Sequence, residues 1–307
     1  MSLHDDPHWP RASAWVAGDC LPQTIGTLAI VGAPVARGSI TPGRCDLAPA
    51  AIRKALQRFT TYDLNTGRDV RLIRVEDGGD LDVAALTPEE AFERIVAATS
   101  RETRGPEATV LLGGDNSITR PGVHSLGAGV KHCGLLTLDA HFDLRHLDAG
   151  LTNGNPVRAL LRDGLPGDHI FQIGLQSFAN SEPYASVAWE AGIHVATADC
   201  VRERGIDQVL HDALAHFDER VESIYVDLDL DVLDRIYAPA TPGARPGGLT
   251  PAQLRRAAHM CGAHPKVRAL DLVEIDPTQD LADVTVLTAA ACLLEFASGV
   301  LHRLSRE

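Results

Sequence analysis

Two short acidic runs hold the side chains best suited to chemistry. Asp139-Ala140-His141-Phe142-Asp143 follows the apolar run CGLLTL, and Asp227-Leu228-Asp229-Leu230-Asp231 follows SIYV. Alternate residues of an extended chain share a face. Asp139, His141 and Asp143 are therefore predicted to point into one space, as are Asp227, Asp229 and Asp231. Aspartate disfavours strands, and carboxylates this close repel one another unless a cation lies between them. Carboxylate oxygens with one imidazole suit a Mn²⁺-type ion. Such an ion lowers the pKa of bound water from about 15.7 toward neutrality and so makes a nucleophile.

Other segments could complete the site. Gly113-Gly114-Asp115-Asn116-Ser117 follows ATVLL, and its glycine pair would let backbone come close, so that Asp115 or Asn116 could reach a metal or orient its ligands. Glu274 closes the run ALDLVEI, where a buried carboxylate either pairs with arginine or grips a cationic substrate head. Asn153-Gly154-Asn155-Pro156, with Arg158 beyond it, reads by itself as a turn leading into a helix. The Pro/Gly-rich loop 238–248, which carries Arg245, lies where a pocket wall would stand. The chain has no dinucleotide fingerprint, phosphate loop or serine nucleophile elbow, so metal-activated water is the best-supported nucleophile.

The elements that must position these residues follow from hydrophobic patterning. Apolar runs at 27–35, 70–75, 108–112, 133–138, 170–174, 193–196, 223–230 and 267–275 predict buried strands. Helices are expected at 49–59, 88–102, 201–217, 251–262 and 283–304, with Thr87-Pro88 and Thr250-Pro251 as caps. Eight strands alternating with helices imply an α/β fold of three layers, α/β/α, around a mostly parallel eight-stranded sheet. Ligands of such sheets bind beyond the carboxyl ends of the strands. With no linker and no repeat, 1–307 reads as a single domain whose first 25 residues form an extended lead-in.

Composition narrows the function classes. A net charge of −13 argues against nucleic-acid binding, which needs a basic footprint. Six cysteines without a C-x-x-C pair suit a reducing compartment. The N-terminus lacks the features of a signal peptide, and no run reaches the 18 or so apolar residues of a membrane span. The expectation is a cytoplasmic protein with a small-molecule substrate and no membrane or nucleic-acid partner.

In their order and spacing these motifs resemble the ureohydrolase (arginase/agmatinase) family, whose pattern is GGDHS, DAHxD, S-x-D-x-D-x-x-D-P with a Pro/Gly loop, and a V-E strand end. They stand here as Gly113–Ser117, Asp139–Asp143, Asp227–Asp234 and Val273-Glu274. The resemblance implies an arginase-like fold, an assembly of trimers or hexamers, and hydrolysis of a carbon–nitrogen bond at a manganese site. Asp139 and Asp229 would bridge two ions, His141 and Asp231 would complete one, and Asp143 would serve the other.

Two departures bear on that site. Asn116 replaces the family's ligand histidine and offers only an amide oxygen, which implies one ion or a weakened second one. Asn153-Gly154-Asn155-Pro156 replaces an H-G-x-P stretch and, with 172–180 and 227–248, is similar to the formimidoylglutamase branch. That branch hydrolyses N-formimidoyl-L-glutamate to formamide and L-glutamate. Metal-bound hydroxide would attack the formimidoyl carbon, with Asp143 and Glu274 as catalytic residues. Arg145, Asn153, Asn155, Arg158 and Arg245 would bind substrate. Two competing readings are another ureohydrolase specificity that releases urea and a metal-poor, non-catalytic relative.

Overall fold

The computed structural model describes residues 6–102, 105–127 and 129–306. Ten strands form: β1 Gly26–Ala33, β2 Tyr62–Asp63, β3 Arg68–Asp69, β4 Ile73–Asp80, β5 Ala108–Gly113, β6 Cys133–Leu138, β7 Ile170–Leu175, β8 His194–Thr197, β9 Ser223–Asp229 and β10 Val267–Val273. The helices are α1 Ala12–Val16, α2 Ala48–Ala55, α3 Pro88–Glu102, α4 Thr119–His124, α5 Pro156–Asp163, α6 Glu182–Ala191, α7 Ala198–Arg204, α8 Ile206–Phe217, α9 Pro251–Ala263 and α10 Val284–Leu304. Apart from the small β2–β3 hairpin, the strands make one eight-stranded sheet in the order β4-β1-β5-β10-β9-β6-β7-β8. Every pairing in it is parallel.

Local chemistry explains most of these boundaries. β5 and β6 are buried along their whole length, as an apolar strand covered on both faces must be. The edge strand β4 instead alternates buried and exposed residues at its start. The expected caps form at both threonines. Thr250 and Gln253 make a reciprocal capping box at α9, and Thr87 and Glu90 exchange the same two bonds at α3.

Three expectations need correction. The segment read as one helix over 201–217 is two, because Gly205 takes φ +81° between α7 and α8. The lead-in is not extended throughout. α1 interrupts it so that Trp15 can be fully buried while its Nε1 donates to the Ile73 carbonyl at 2.8 Å; residues 1–5 lie outside the described residues. Finally, α10 is long and apolar enough to cross a membrane by length and composition, but 78% of its most apolar window is buried inside the protein. The helix itself was expected at 283–304; it holds no unbroken run of 18 apolar residues because Glu295 and several small polar residues interrupt it.

The four central strands β5, β10, β9 and β6 lie side by side. Their carboxyl ends deliver Asn116, Glu274, Asp229 and Asp139 to one crevice.

Candidate metal centre and active site

The acids converge, but not by strand periodicity. β6 ends at Leu138, and 139–143 is an irregular loop in which His141 N donates to Asp139 Oδ1 at 2.6 Å and Asp143 takes φ +53°. β9 ends at Asp229, whose carboxylate accepts from Asp231 N at 2.8 Å and turns Asp231 inward. Asp227 does not join them. It faces its register partner Asp271 on β10, inside the sheet, where Asp271 accepts from Tyr225 Oη at 2.8 Å and lies 2.9 Å from Thr119 Oγ1. Burial, then the neighbouring Asp271, pushes the Asp227 carboxyl well above the usual range.

Asp139, His141 and Asp231 form the tight core of the centre, with ligand atoms all within 4.8 Å of one another. His141 Nδ1 lies 3.0 Å from Asp231 Oδ2 and 3.4 Å from Asp139 Oδ1. Arg245 Nη1 approaches the other ring nitrogen at 2.8 Å and also donates to the Gly243 carbonyl at 2.7 Å. Gly243 packs against the centre so closely that a Cβ there would fall 2.0 Å from Asp231 Oδ2.

Electrostatics favours a cation here. Burial, reinforced by Asp231, raises Asp139 to about 7. Burial also pushes Asp143 and Asp229 well above the ordinary value, with further contributions from Asp139 and Asp231 respectively. Acids that resist holding their charge together are a donor set that a divalent cation neutralises. The residues therefore fit a metal ion.

A cavity of about 460 Å³ opens over this centre. His141, Asp143, Asp229, Asp231, Glu274, Arg145, Asn153 and Arg245, all expected at the site, line it. Glu274 is buried with φ +63°, and its Oε1 accepts from Asn116 N at 2.7 Å and Asn153 Nδ2 at 3.0 Å. Burial and then Asp115 raise its pKa to about 8. Arg145 is exposed and makes no ion pair among the described residues.

Other expected site residues serve differently. Asn116 was expected as a ligand, but its Nδ2 donates to Asp143 Oδ2 at 2.6 Å while Thr119 Oγ1 donates to its amide oxygen at 2.6 Å. A carboxylate can only accept, so the amide turns its NH₂ toward Asp143 and holds that carboxylate in place. Asn155 is buried away from the cavity, where its amide binds the carbonyls of His146 and Gly150 and the Thr152 N–H. Arg158 donates to the Leu144 carbonyl at 3.2 Å and does not line the cavity. Asp115 holds the loop after β1 by accepting from Gly38 N at 2.9 Å.

Sequence reasoning assigned no role to the cavity residues Ile40, Phe178, Asn180, Ser181 and Tyr184. The motif at 172–180 was the available signal for Phe178 and Asn180. Nothing in the SITPG turn marked Ile40.

Residues 26–298 match the sequence profile of the Arginase family. The chain belongs to the arginase family. Among its relatives, formimidoylglutamase of Halalkalibacterium halodurans is 35% identical over 281 residues, which is 90% of this chain and 88% of its own length. The crystal structure of formimidoylglutamase from Bacillus subtilis superposes with a TM-score of 0.90 at 30% identity, covering 98% of this chain and 95% of that one. Trypanosoma cruzi formiminoglutamase with Mn²⁺ shares the fold at a TM-score of 0.84 and 22% identity, covering 96% and 99% of the two chains. The arginase-family fold thus accounts for the eight-stranded parallel sheet and the crevice at its carboxyl ends.

Proposed function

We propose that this chain hydrolyses N-formimidoyl-L-glutamate to formamide and L-glutamate with manganese as its cofactor. One observation carries the reading. A buried carboxylate–imidazole centre shares a cavity with Glu274 and with Arg145, which has no ion pair among the described residues, in a chain 35% identical to a formimidoylglutamase over nearly its whole length.

Asp139, His141, Asp229 and Asp231 would hold one ion. Asp143 would serve a second position, weakened because Asn116 stands in place of an imidazole. When bound, a divalent cation polarises water and lowers its pKa toward neutrality. The formimidoyl head is an amidine cation, and Glu274 is the carboxylate to grip it, with Oε1 fixed by Asn116 and Asn153 and Oε2 left to accept from substrate N–H. Arg145 and Arg245 supply planar forks for the two substrate carboxylates. The water oxygen bonds to the formimidoyl carbon, and the bond from that carbon to the glutamate nitrogen breaks. Asp143, held at Oδ2 by Asn116, takes the water proton on Oδ1 and delivers it to that nitrogen.

We infer also a cytoplasmic, single-domain, homo-oligomeric enzyme, a trimer or hexamer. All six cysteines are free, which supports a reducing compartment, and one continuous sheet supports one domain. The assembly rests on the family resemblance. The test of function is a panel of formimidoylglutamate, arginine and agmatine, scored separately for formamide and urea with and without Mn²⁺. Formamide from the first substrate, abolished by Asp229→Ala, is expected. A manganese-loaded protein that releases none sinks the assignment.

A further inference from the structure

Five non-glycine residues among those described adopt positive φ: Asp143, Phe178, Glu274, Ala282 and Asp283. Three of the five line one cavity, the one above the metal centre. Two of these are the acids already given roles in binding and proton transfer. The third, Phe178, has φ +65° and is fully exposed.

An aromatic residue in the left-handed region is a strained outlier, and a fully exposed ring gains nothing from burial. No packing of the ring offsets that strain in the free protein; hydrogen bonds alone hold the turn around Phe178. Gln176 N donates to the Ala140 carbonyl at 3.1 Å, and Ala179 N to the Gln176 carbonyl at 3.3 Å. Asn180 accepts from Phe142 N at 2.9 Å and returns its own amide to the Ala140 carbonyl at 2.9 Å. Ala140 lies between Asp139 and His141, and its N–H donates to Asp231 at 3.2 Å. The turn that presents the ring is therefore bonded to the same loop that presents the metal-site residues.

We propose that Phe178 is a substrate-positioning residue whose ring packs on the two side-chain methylenes of the formimidoylglutamate skeleton, between the Cα that carries the formimidoyl nitrogen and the side-chain carboxylate, in the cavity it shares with Glu274 and Arg145. The proposal rests on the substrate reading above. Hydrophobic contact suits that stretch, because the substrate is charged at its ends and apolar between them. Strain at Phe178 is then the cost of a preorganised ring, offset only when substrate fills the cavity.

Steady-state formamide release by the manganese-loaded enzyme tests this with three variants. Phe178→Ala removes the ring and keeps the strained backbone. KM should rise about tenfold, the equivalent of burying part of one aromatic ring, and kcat should change far less. Phe178→Leu should recover most of the loss. Phe178→Gly should show the same high KM while its Tm rises above wild type, because glycine accepts φ +65° without strain. Affinity and stability moving in opposite directions is an outcome that a merely structural role does not produce. An active wild type whose KM is unmoved in Phe178→Ala overturns the proposal alone, as does a Phe178→Gly variant whose Tm falls together with its affinity. A wild-type protein that releases no formamide overturns the substrate reading and this proposal together.

Discussion

At the scale of single residues, the centre depends on contacts too short to tolerate change. Gly243 leaves no room for a methyl group, since a Cβ would lie 2.0 Å from Asp231 Oδ2 and 3.0 Å from His141 Cε1. Gly243→Ala must displace the carboxylate or the loop, and support of this kind governs metal affinity by about 10- to 100-fold. A manganese titration should show affinity at least about tenfold weaker than wild type, with the far-UV spectrum unchanged. Equal affinities would mean that the loop yields freely. Asn116 shows how far residue types alone can be read. Its identity announced a missing imidazole, whereas its role as a donor to Asp143 depends on Thr119 lying on its other side.

At the scale of elements, α4 leads away from the Asn116 turn and has to be held in place. Asp163, the last residue of α5, accepts from Arg120 Nε at 2.6 Å and Nη2 at 3.0 Å and lies 2.9 Å from His124 Nε2. The Arg120 guanidinium also covers the Phe92 ring of α3 at 4.6 Å. One carboxylate therefore joins α4 to α5, and its arginine partner extends the contact to α3. Burial raises the Asp163 pKa, but Arg120 and His124 outweigh it and hold the group below its ordinary 3.8. A lowered folded pKa means that the stabilisation is complete at neutral pH. It fades as the pH falls past 3.8 toward the folded value. Asp163→Asn should cost about 1 kcal/mol at pH 7, reduced from a buried charge-assisted pair because solvent reaches it. Thermal melts of the two proteins across pH should converge in acid. A gap that persists unchanged there would assign the effect to packing instead.

At the scale of the whole molecule, the two ends of the sheet do different work. The site lies at the carboxyl ends, whereas the opposite end is closed by Arg303 of α10, which is 8% exposed. Its guanidinium donates to the carbonyls of His264 at 2.9 Å, Val267 at 3.0 Å and Glu107 at 2.6 Å, at or just before the starts of β10 and β5. Arg303→Met would remove the guanidinium from all three carbonyls, of which that of His264 keeps its bond from Val267 N, at a cost of about 2–4 kcal/mol. Urea denaturation should show a lower midpoint, while kcat/KM at 25 °C stays at the wild-type value. A fall in kcat/KM without a loss of stability would contradict this division.

The sequence by itself determined the parallel α/β class, because apolar strands covered on both faces can hardly be anything else. It also marked two acidic runs at strand ends as a candidate metal centre, because carboxylates this close repel one another without a cation. Tertiary structure decided the rest. The period-2 argument placed Asp227 beside Asp229, yet the sheet directs Asp227 to Asp271, a partner 44 residues away that no local pattern reveals. The same argument treated 139–143 as extended, whereas convergence there comes from an irregular loop with Asp143 in the left-handed region. Asn155 and Arg158 seemed by motif to face substrate, but their side chains are taken up by the carbonyls of their own loop. Spacing fixes a side chain's direction only while the backbone stays regular. At strand ends, where chemistry is placed, long-range hydrogen bonds and positive-φ turns set that direction instead.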